Sequence, residues 1–277
     1  MHPILFKLGP ITVRSYGVLI LVGFLLALWY AMAAARRRMA GRAPGAPGVV
    51  TPEHVFDAAV VGLPIGILGT RLLYVALNWG AFRDDPLSAF KLWEGGLSFM
   101  GAFLAFFYLA WYCRKHRLSF LEMADLTAPG FALAYAFGRI GCFLNGCCYG
   151  HPCELPWAVR FPDEHTAGML TPPSHPAQLY ATLINLAMFV VLDRWSRVTT
   201  RRGELLTGYL LLYCAYRFVI EEFRRGATAA VYAFGLTQAQ LFCAAAIPVL
   251  VLALWRIRAR PAPVTAGEVS AEVSRSG

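Results

Sequence analysis

Charged residues are scarce in this sequence. Asp, Glu, Lys and Arg together make up 15% of its 277 residues, whereas a soluble domain usually carries about a quarter. Apolar residues make up 58%, and a globule of this size cannot bury that much apolar surface. The composition therefore excludes a water-soluble enzyme and a disordered chain, and it indicates an integral membrane protein.

Cysteine is sparse as well, and a cleavable leader pattern is missing. The seven cysteines are irregularly placed, which excludes a disulfide-stapled secreted mini-protein. Because the N-terminus lacks the pattern of a cleaved signal peptide, the first hydrophobic stretch is expected to stay in the membrane as an anchor. The net charge of +9 arises from short clusters between apolar runs, which favours membrane topology over nucleic-acid binding.

Seven stretches have the length and composition of membrane-spanning helices, since a bilayer core of about 30 Å needs about 20 apolar residues. They cover residues 17–35, 57–78, 96–113, 121–143, 177–193, 204–222 and 235–255. We therefore predict an all-α protein with one seven-helix membrane domain over residues 1–260. The small, polar segment 261–277 is expected to be a disordered cytoplasmic tail.

The distribution of Lys and Arg predicts the orientation. Fourteen of these cations fall in the connections on one side of the predicted membrane, and seven fall on the opposite side. Cytoplasmic loops carry the excess of positive charge. The N-terminus is therefore predicted to lie outside and the C-terminus in the cytoplasm.

Three arginines, Arg71, Arg139 and Arg217, lie within the second, fourth and sixth predicted helices. Ionisable residues inside a bilayer are costly and usually functional. In the predicted orientation all three fall in the outward half of the membrane, as do Tyr16 and the segments 95–99 and 175–180. This shared depth predicts a functional site near the outer surface.

The sixth predicted helix places Tyr213, Arg217 and Glu221 on one face, because they follow an i, i+4, i+8 spacing. Glu221 is expected to hold the guanidinium of Arg217 in place. A fixed guanidinium presents a planar set of donors that suits a phosphate, such as that of a lipid headgroup. The alternative is that the arginines only pair with structural acids, of which Asp125 and Glu221 are available.

The long outer loop at about 144–176 is expected to form a folded cap over the site, since long ordered loops are usually functional. A C-x4-C-C-x4-C run, Cys142 to Cys153, extends from the end of the fourth predicted helix into this loop. Structural zinc sites favour closer pairs. Packing of small residues, or a disulfide joining Cys147 or Cys148 to Cys153, is therefore favoured over a metal. Neither a metal nor a cofactor is predicted.

The motif FGRIGCFLNGCCYG at 137–150 resembles the signature G-R-x-G-N-F-x-N-x-E-x-x-G of the bacterial prolipoprotein diacylglyceryl transferases. RSYGVLILVGF, GTRLLYV, WEGGLSFMG, HPAQLY and YCAYRFVIEEFR follow in the family's order. The resemblance covers almost the whole chain. It implies an inner-membrane enzyme that moves a diacylglyceryl group from phosphatidylglycerol to the lipobox cysteine of a prolipoprotein and releases glycerol phosphate.

The resemblance also implies roles for particular residues. Arg139 would bind the phosphatidylglycerol headgroup, and Arg217, oriented by Tyr213 and Glu221, would stabilise charge on the departing phosphate. The remaining residues predicted to bind substrate are Tyr16, Asn145, Gly150, Arg71, His175 and Gln178.

The sequence departs from the family at three of these motif positions. Met100 stands where the family usually has a histidine, a candidate general base, and a thioether cannot accept a proton at neutral pH. Cys142 and Cys147 replace Asn and Glu of the signature. The alternative is therefore a divergent relative that binds phospholipid in the outer leaflet but uses another acceptor or is not catalytic. A transporter is disfavoured, because the polar residues cluster at the outer end.

Overall fold

The computed structural model describes residues 1–8, 11–40, 48–83, 85–90, 101, 103–162, 169–199, 201–224 and 233–260. Its strands and helices are β1 (Ile4–Leu8), β2 (Ile11–Arg14), α1 (Ser15–Ala40), α2 (Pro52–Leu77), α3 (Trp79–Phe82), α4 (Phe103–Lys115), α5 (Phe120–Asn145), α6 (Ala177–Ser196), α7 (Glu204–Ile220) and α8 (Gln238–Ala259). Each of the seven predicted stretches overlaps one of these helices, and residues 96–100 and 102 of the stretch 96–113 lie outside the described residues. Met100, the segment 95–99 and the tail 261–277 lie outside the described residues.

Three of the described helices, α1, α2 and α8, are long and apolar enough to cross a bilayer. Their surfaces carry large apolar side chains, among them Trp29, Leu72 and Trp255, each more than 60% exposed. Contiguous exposed apolar surface of this kind is typical of a protein that faces lipid. The chain is thus a mostly helical protein with the surface of a membrane protein.

The chain divides into two compact units, residues 1–31 with 124–277, and residues 32–123. In the first unit α7 packs against α6 and α8, around a core that includes Leu192, Leu205 and Tyr216. In the second unit α2 packs against α4. The predicted site residues on α5, α6 and α7 all belong to the first unit.

A β-hairpin that the sequence analysis did not predict precedes α1. Strands β1 and β2 are antiparallel, and the amide of His2 donates to the carbonyl oxygen of Leu144 near the end of α5 at 3.1 Å. The amide of Ser15 donates to the carbonyl of Pro3 at 3.1 Å. The hairpin therefore connects the start of α1 to the end of α5.

Helices α1 and α5 run antiparallel and meet at glycines. A Cβ atom on Gly23 would lie 2.9 Å from Cβ of Phe137, and one on Gly141 would lie 3.1 Å from Cδ2 of Tyr16. Small residues allow helix backbones to approach closely in this way. The contact at Gly141 places Tyr16 beside the last turn of α5.

Asp125 connects α5 to the beginning of α7. Its carboxylate accepts hydrogen bonds from the amides of Gly203 at 2.6 Å and Leu206 at 2.8 Å. The first amides of a helix have no partner within the helix, and a carboxylate satisfies them while complementing the helix dipole. Asp125 thus fixes the beginning of α7 relative to α5.

Candidate active site

Arg139 lies two turns before the end of α5 and contacts a tyrosine of the same helix. Its Nη2 donates to the hydroxyl of Tyr135, one turn earlier. The guanidinium carbon lies 4.8 Å from the centroid of that tyrosine ring, which is cation–π geometry. Tyr135 therefore restricts the guanidinium and orders it for an anionic ligand.

Three tyrosines connect Arg139 to α7. The ring centroids of Tyr135, Tyr213 and Tyr216 lie 6.0–6.1 Å from one another. Tyr213 lies one turn before Arg217 on α7. The structure therefore brings the arginines of the fourth and sixth predicted helices into one neighbourhood.

Arg217 and Glu221 form the ion pair that the i, i+4 spacing predicts. The Glu221 side chain is fully buried and that of Arg217 is 14% exposed. Glu221 begins a short 3-10 turn, Glu221–Phe223, that directly follows α7. Its second oxygen, Oε1, is buried and has no hydrogen-bond partner among the described residues. A buried carboxylate without a partner is strongly destabilising. The ion pair with Arg217 therefore restricts the positions that the two side chains can adopt.

Tyr16 begins the first turn of α1 beside these groups and is 40% exposed. Its hydroxyl interacts electrostatically with Arg139 and with the thiols of Cys142, Cys147 and Cys148. An exposed hydroxyl next to a guanidinium can contribute a further hydrogen bond to a phosphate or glycerol group. That Tyr16 binds substrate stays a prediction.

Gly150 lies where the loop after α5 meets the ends of two other helices. Its amide donates to the carbonyl of His175 at 2.9 Å, and the next amide, of His151, donates to the carbonyl of Phe223 at 3.0 Å. A Cβ on Gly150 would lie 2.1 Å from that Phe223 oxygen and 2.8 Å from Cβ of His175. Only glycine allows this close approach.

The Gly150→Ala variant is expected to lose about 1–3 kcal/mol of stability, because the added methyl forces the backbone apart. Gly138→Ala on α5 is the matched control, since a Cβ there has no atom within 4 Å. The control is expected to gain about 0.5–1 kcal/mol through helix propensity. Thermal unfolding of both variants in detergent measures the difference. Equal stability of the two variants would contradict the close contact at Gly150.

His175 and Gln178 hold the start of α6 against the loop. The Nδ1 atom of His175 lies 3.2 Å from the hydroxyl of Tyr180, and its ring packs edge-on against Phe223. Gln178 is fully buried, and its Nε2 donates to the carbonyl of Cys147 at 2.7 Å. In this structure both residues make contacts that position the loop.

The loop has a small core of its own in the described part, residues 146–162 and 169–176. Phe161 is fully buried, and Tyr149 stacks on it with the ring centroids 4.9 Å apart. The amide of Thr171 donates to the carbonyl of Phe161, and the Thr171 hydroxyl accepts from the Phe161 amide. These contacts order the described part of the loop, and its role as a cap over the site stays a prediction.

Arg71 belongs to the second unit. It is 6% exposed. Its Nε and Nη2 donate to the carbonyls of Ala89 and Ser88 at 2.7 and 2.8 Å, and its guanidinium lies over the ring of Phe82. These contacts hold the 3-10 turn at Pro86–Phe90 against α2, which is a positioning role that the sequence analysis did not consider.

All seven cysteines are free thiols, so the expected disulfide with Cys153 is not formed. Cys142, Cys147 and Cys148 instead cluster, with their sulfur atoms within 4.8 Å of one another. Asn145, the last residue of α5, contacts the thiol of Cys147. Hydrogen bonds from the Cys142 and Cys147 thiols, together with the charges of Arg139 and Arg224, lower the pKa of the Cys148 thiol.

The arrangement of these groups defines a class of protein. Two guanidinium groups on α5 and α7 lie among tyrosines in a chain with the surface of a membrane protein. Such groups can bind a phosphate and stabilise negative charge that develops on it. The class is a helical membrane protein with a phosphate-binding, arginine-based candidate active site.

Comparisons with known proteins specify the family. Residues 3–256 match the profile of the family described as prolipoprotein diacylglyceryl transferase. A phosphatidylglycerol–prolipoprotein diacylglyceryl transferase of Photobacterium profundum is 34% identical over 94% of this chain and 95% of its own length. The protein of that name from Vibrio atlanticus is 37% identical over 81% of this chain and 78% of its own. The chain belongs to the prolipoprotein diacylglyceryl transferase family.

Proposed function

We infer that this chain is a phosphatidylglycerol–prolipoprotein diacylglyceryl transferase. The inference draws on the family match along nearly the whole chain and on relatives that carry this name at 34–37% identity. One observation about the site supports it most: the ring of Tyr135, which binds Arg139, packs edge-on against Tyr213. Tyr213 lies one turn before Arg217 on α7. Both arginines can therefore act on one phosphodiester, with a prolipoprotein as the second substrate.

The proposed reaction is a displacement at the glyceryl C3 carbon. The thiolate of the acceptor cysteine forms the new carbon–sulfur bond, the carbon–oxygen bond to phosphate breaks, and its electron pair leaves with glycerol phosphate. Arg139 binds the headgroup phosphate while Tyr16, Asn145 and Gly150 shape its surroundings. Arg217, held by Glu221 and adjacent to Tyr213, stabilises the charge that gathers on the leaving group.

We also propose the number of membrane spans and their orientation. Seven spans would form one membrane domain over residues 1–260, with the N-terminus outside, the tail in the cytoplasm and the cap at about 144–176 over the site. The site would then face the outer leaflet of the bacterial inner membrane. The twofold excess of Lys and Arg in the inner connections supports this orientation.

A transfer assay tests the function. Purified protein in detergent is incubated with phosphatidylglycerol and a lipobox peptide, and mass spectrometry detects the diacylglyceryl thioether. The matched control is the same peptide with its cysteine replaced by serine. Thioether formed with the cysteine peptide and not with the serine peptide supports the proposal. A protein that binds phosphatidylglycerol but forms no thioether would contradict it.

A binding-only protein is the second candidate, because Cys142, Cys147 and Met100 depart from the family signature. This function predicts saturable binding of phosphatidylglycerol without a thioether on any cysteine peptide. The assay above therefore separates the two candidates directly.

A further inference from the structure

The end of α5 brings two cysteines together through its backbone geometry. Gly146 has a positive φ of 80°. Its amide donates to the carbonyl of Phe143, and the amide of Cys147 donates to the carbonyl of Cys142, both at 3.1 Å. This pair of bonds is the Schellman motif, in which the side chains at these two flanking positions meet. The contact pair is here Cys142 with Cys147.

A second turn adds the third sulfur. Cys148 has a φ of 63°, a left-handed conformation that returns the chain toward the helix end. The three sulfur atoms lie within 4.8 Å of one another. Thiolates bound to one zinc ion at about 2.3 Å would be separated by roughly 3.8 Å, so only small side-chain movements are needed to close the cluster on a cation.

We propose that Cys142, Cys147 and Cys148 form a three-thiolate site for a thiophilic divalent cation of the zinc class. Spacing along the sequence argued against a metal because zinc motifs place paired cysteines closer together. Sequence spacing does not report the distance here, because the helix end and Gly146 at positive φ lie between Cys142 and Cys147. In the folded chain the three sulfur atoms lie close enough to share one cation, although the spacing along the sequence is wider than in zinc motifs.

The charges around the cluster suit such a complex. Three thiolates with a divalent cation carry a net charge of −1, and the charges of Arg139 and Arg224 both act on Cys148. The hydrogen bond from Gln178 Nε2 to the carbonyl of Cys147 fixes the backbone of a central ligand. Neighbouring groups that fix ligands in this way support a metal site.

The cluster also has room for a fourth ligand. Cys148 is exposed and Cys147 is partly exposed, and the group comprises three ligand atoms within the described part of the chain. A zinc site with three protein ligands keeps one position open for water or substrate. This step rests on the proposed function: the open position would bind the thiol of the lipobox cysteine.

Coordination of the acceptor thiol at this open position would replace the general base that is missing at Met100. The acceptor thiol releases its proton to water on binding the cation, since metal coordination deprotonates a thiol. The resulting thiolate lies beside Arg139 and displaces the phosphate ester as described above. The cluster would therefore perform the activation for which the sequence offers no histidine at position 100.

Metal content tests the site independently of transfer. The protein is purified in detergent with a phosphine reductant and without chelator, and zinc and copper are measured by mass spectrometry. One zinc ion per chain is expected, with loss in Cys142→Ser, Cys147→Ser and Cys148→Ser. Cys153→Ser is the matched control from the same loop and is expected to retain the ion. Metal-free protein that also fails to take up added zinc, or equal loss in the control, would overturn the proposal.

Cobalt substitution tests the fourth position. Addition of Co²⁺ to the metal-free protein is expected to produce thiolate-to-cobalt absorption, which changes when a lipobox cysteine peptide is added but not with its serine form. An unchanged spectrum with the cysteine peptide would overturn acceptor binding. Because the spectrum needs no turnover, it distinguishes failure of this inference from failure of the transferase function. Normal transfer by zinc-free protein would also overturn the inference that the cation binds the acceptor thiol.

Discussion

Replacing Arg139 by glutamine is expected to lower the transferase kcat/KM by about 10³-fold. The variant keeps a shorter polar side chain but removes the charge that we assign to the headgroup phosphate, and loss of one preorganised donor has effects of this order. Tyr135 would still occupy the neighbouring turn, so the helix itself should persist. The measurement is initial rate of thioether formation against phosphatidylglycerol concentration.

The matched control is Arg197→Gln at the end of α6. Arg197 pairs with Asp193 at 2.8 Å on the surface and is 59% exposed, and such pairs contribute little to stability. Its transfer rate should equal that of the unmodified chain. A similar loss in both variants would show that the effect is a general response to lost positive charge.

The second large effect is expected at the buried ion pair of α7. Arg217→Leu leaves the carboxylate of Glu221 buried without its partner, so the variant should lose about 3–5 kcal/mol of stability as well as activity. The double variant Arg217→Leu, Glu221→Leu removes both charges and is expected to recover most of the stability. Its activity should remain as low as that of the single variant, because the phosphate-stabilising group is still missing.

Parallel measurements of thermal unfolding and transfer rate separate the two roles. A structural ion pair predicts that activity returns together with stability in the double variant. A catalytic Arg217 predicts that only stability returns. Recovery of transfer in the double variant would therefore contradict the assigned role of Arg217.

The helices were predictable because the bilayer makes apolar length a strong signal. The stretch predicted at 121–143 is α5, Phe120–Asn145, and that at 204–222 is α7 with its following turn. The i, i+4 spacing also predicted the pairing of Arg217 with Glu221. Local periodicity is sufficient for such contacts, since both residues lie on adjacent turns of one helix.

Contacts that depend on the path of the backbone were not predictable in this way. The cluster of Cys142, Cys147 and Cys148 depends on positive φ angles, and sequence gaps do not report the resulting distances. A possible signal was the Asn-Gly dipeptide at 145–146, because glycine after a helix end is typical of the Schellman motif. Asp125 likewise caps α7 across 78 residues, a distance at which no local pattern operates.

The hairpin before α1 was missed for a different reason. β1 and β2 are only five and four residues long, and short apolar runs are ambiguous between strand and helix. Its packing on the end of α5 could be recognised only from the fold.

Helix α5 is constrained on several sides at once, and this should be visible in its tolerance of mutation. Gly141 contacts Tyr16, Asp125 caps α7, Arg139 contacts Tyr135, and the last turn arranges the thiols. On α4, by contrast, Phe107 and Trp111 are more than half exposed, and interchangeable apolar side chains would serve there. Selection on a library of all single substitutions should therefore leave these contact positions of α5 almost invariant, while the exposed positions of α4 accept other apolar residues.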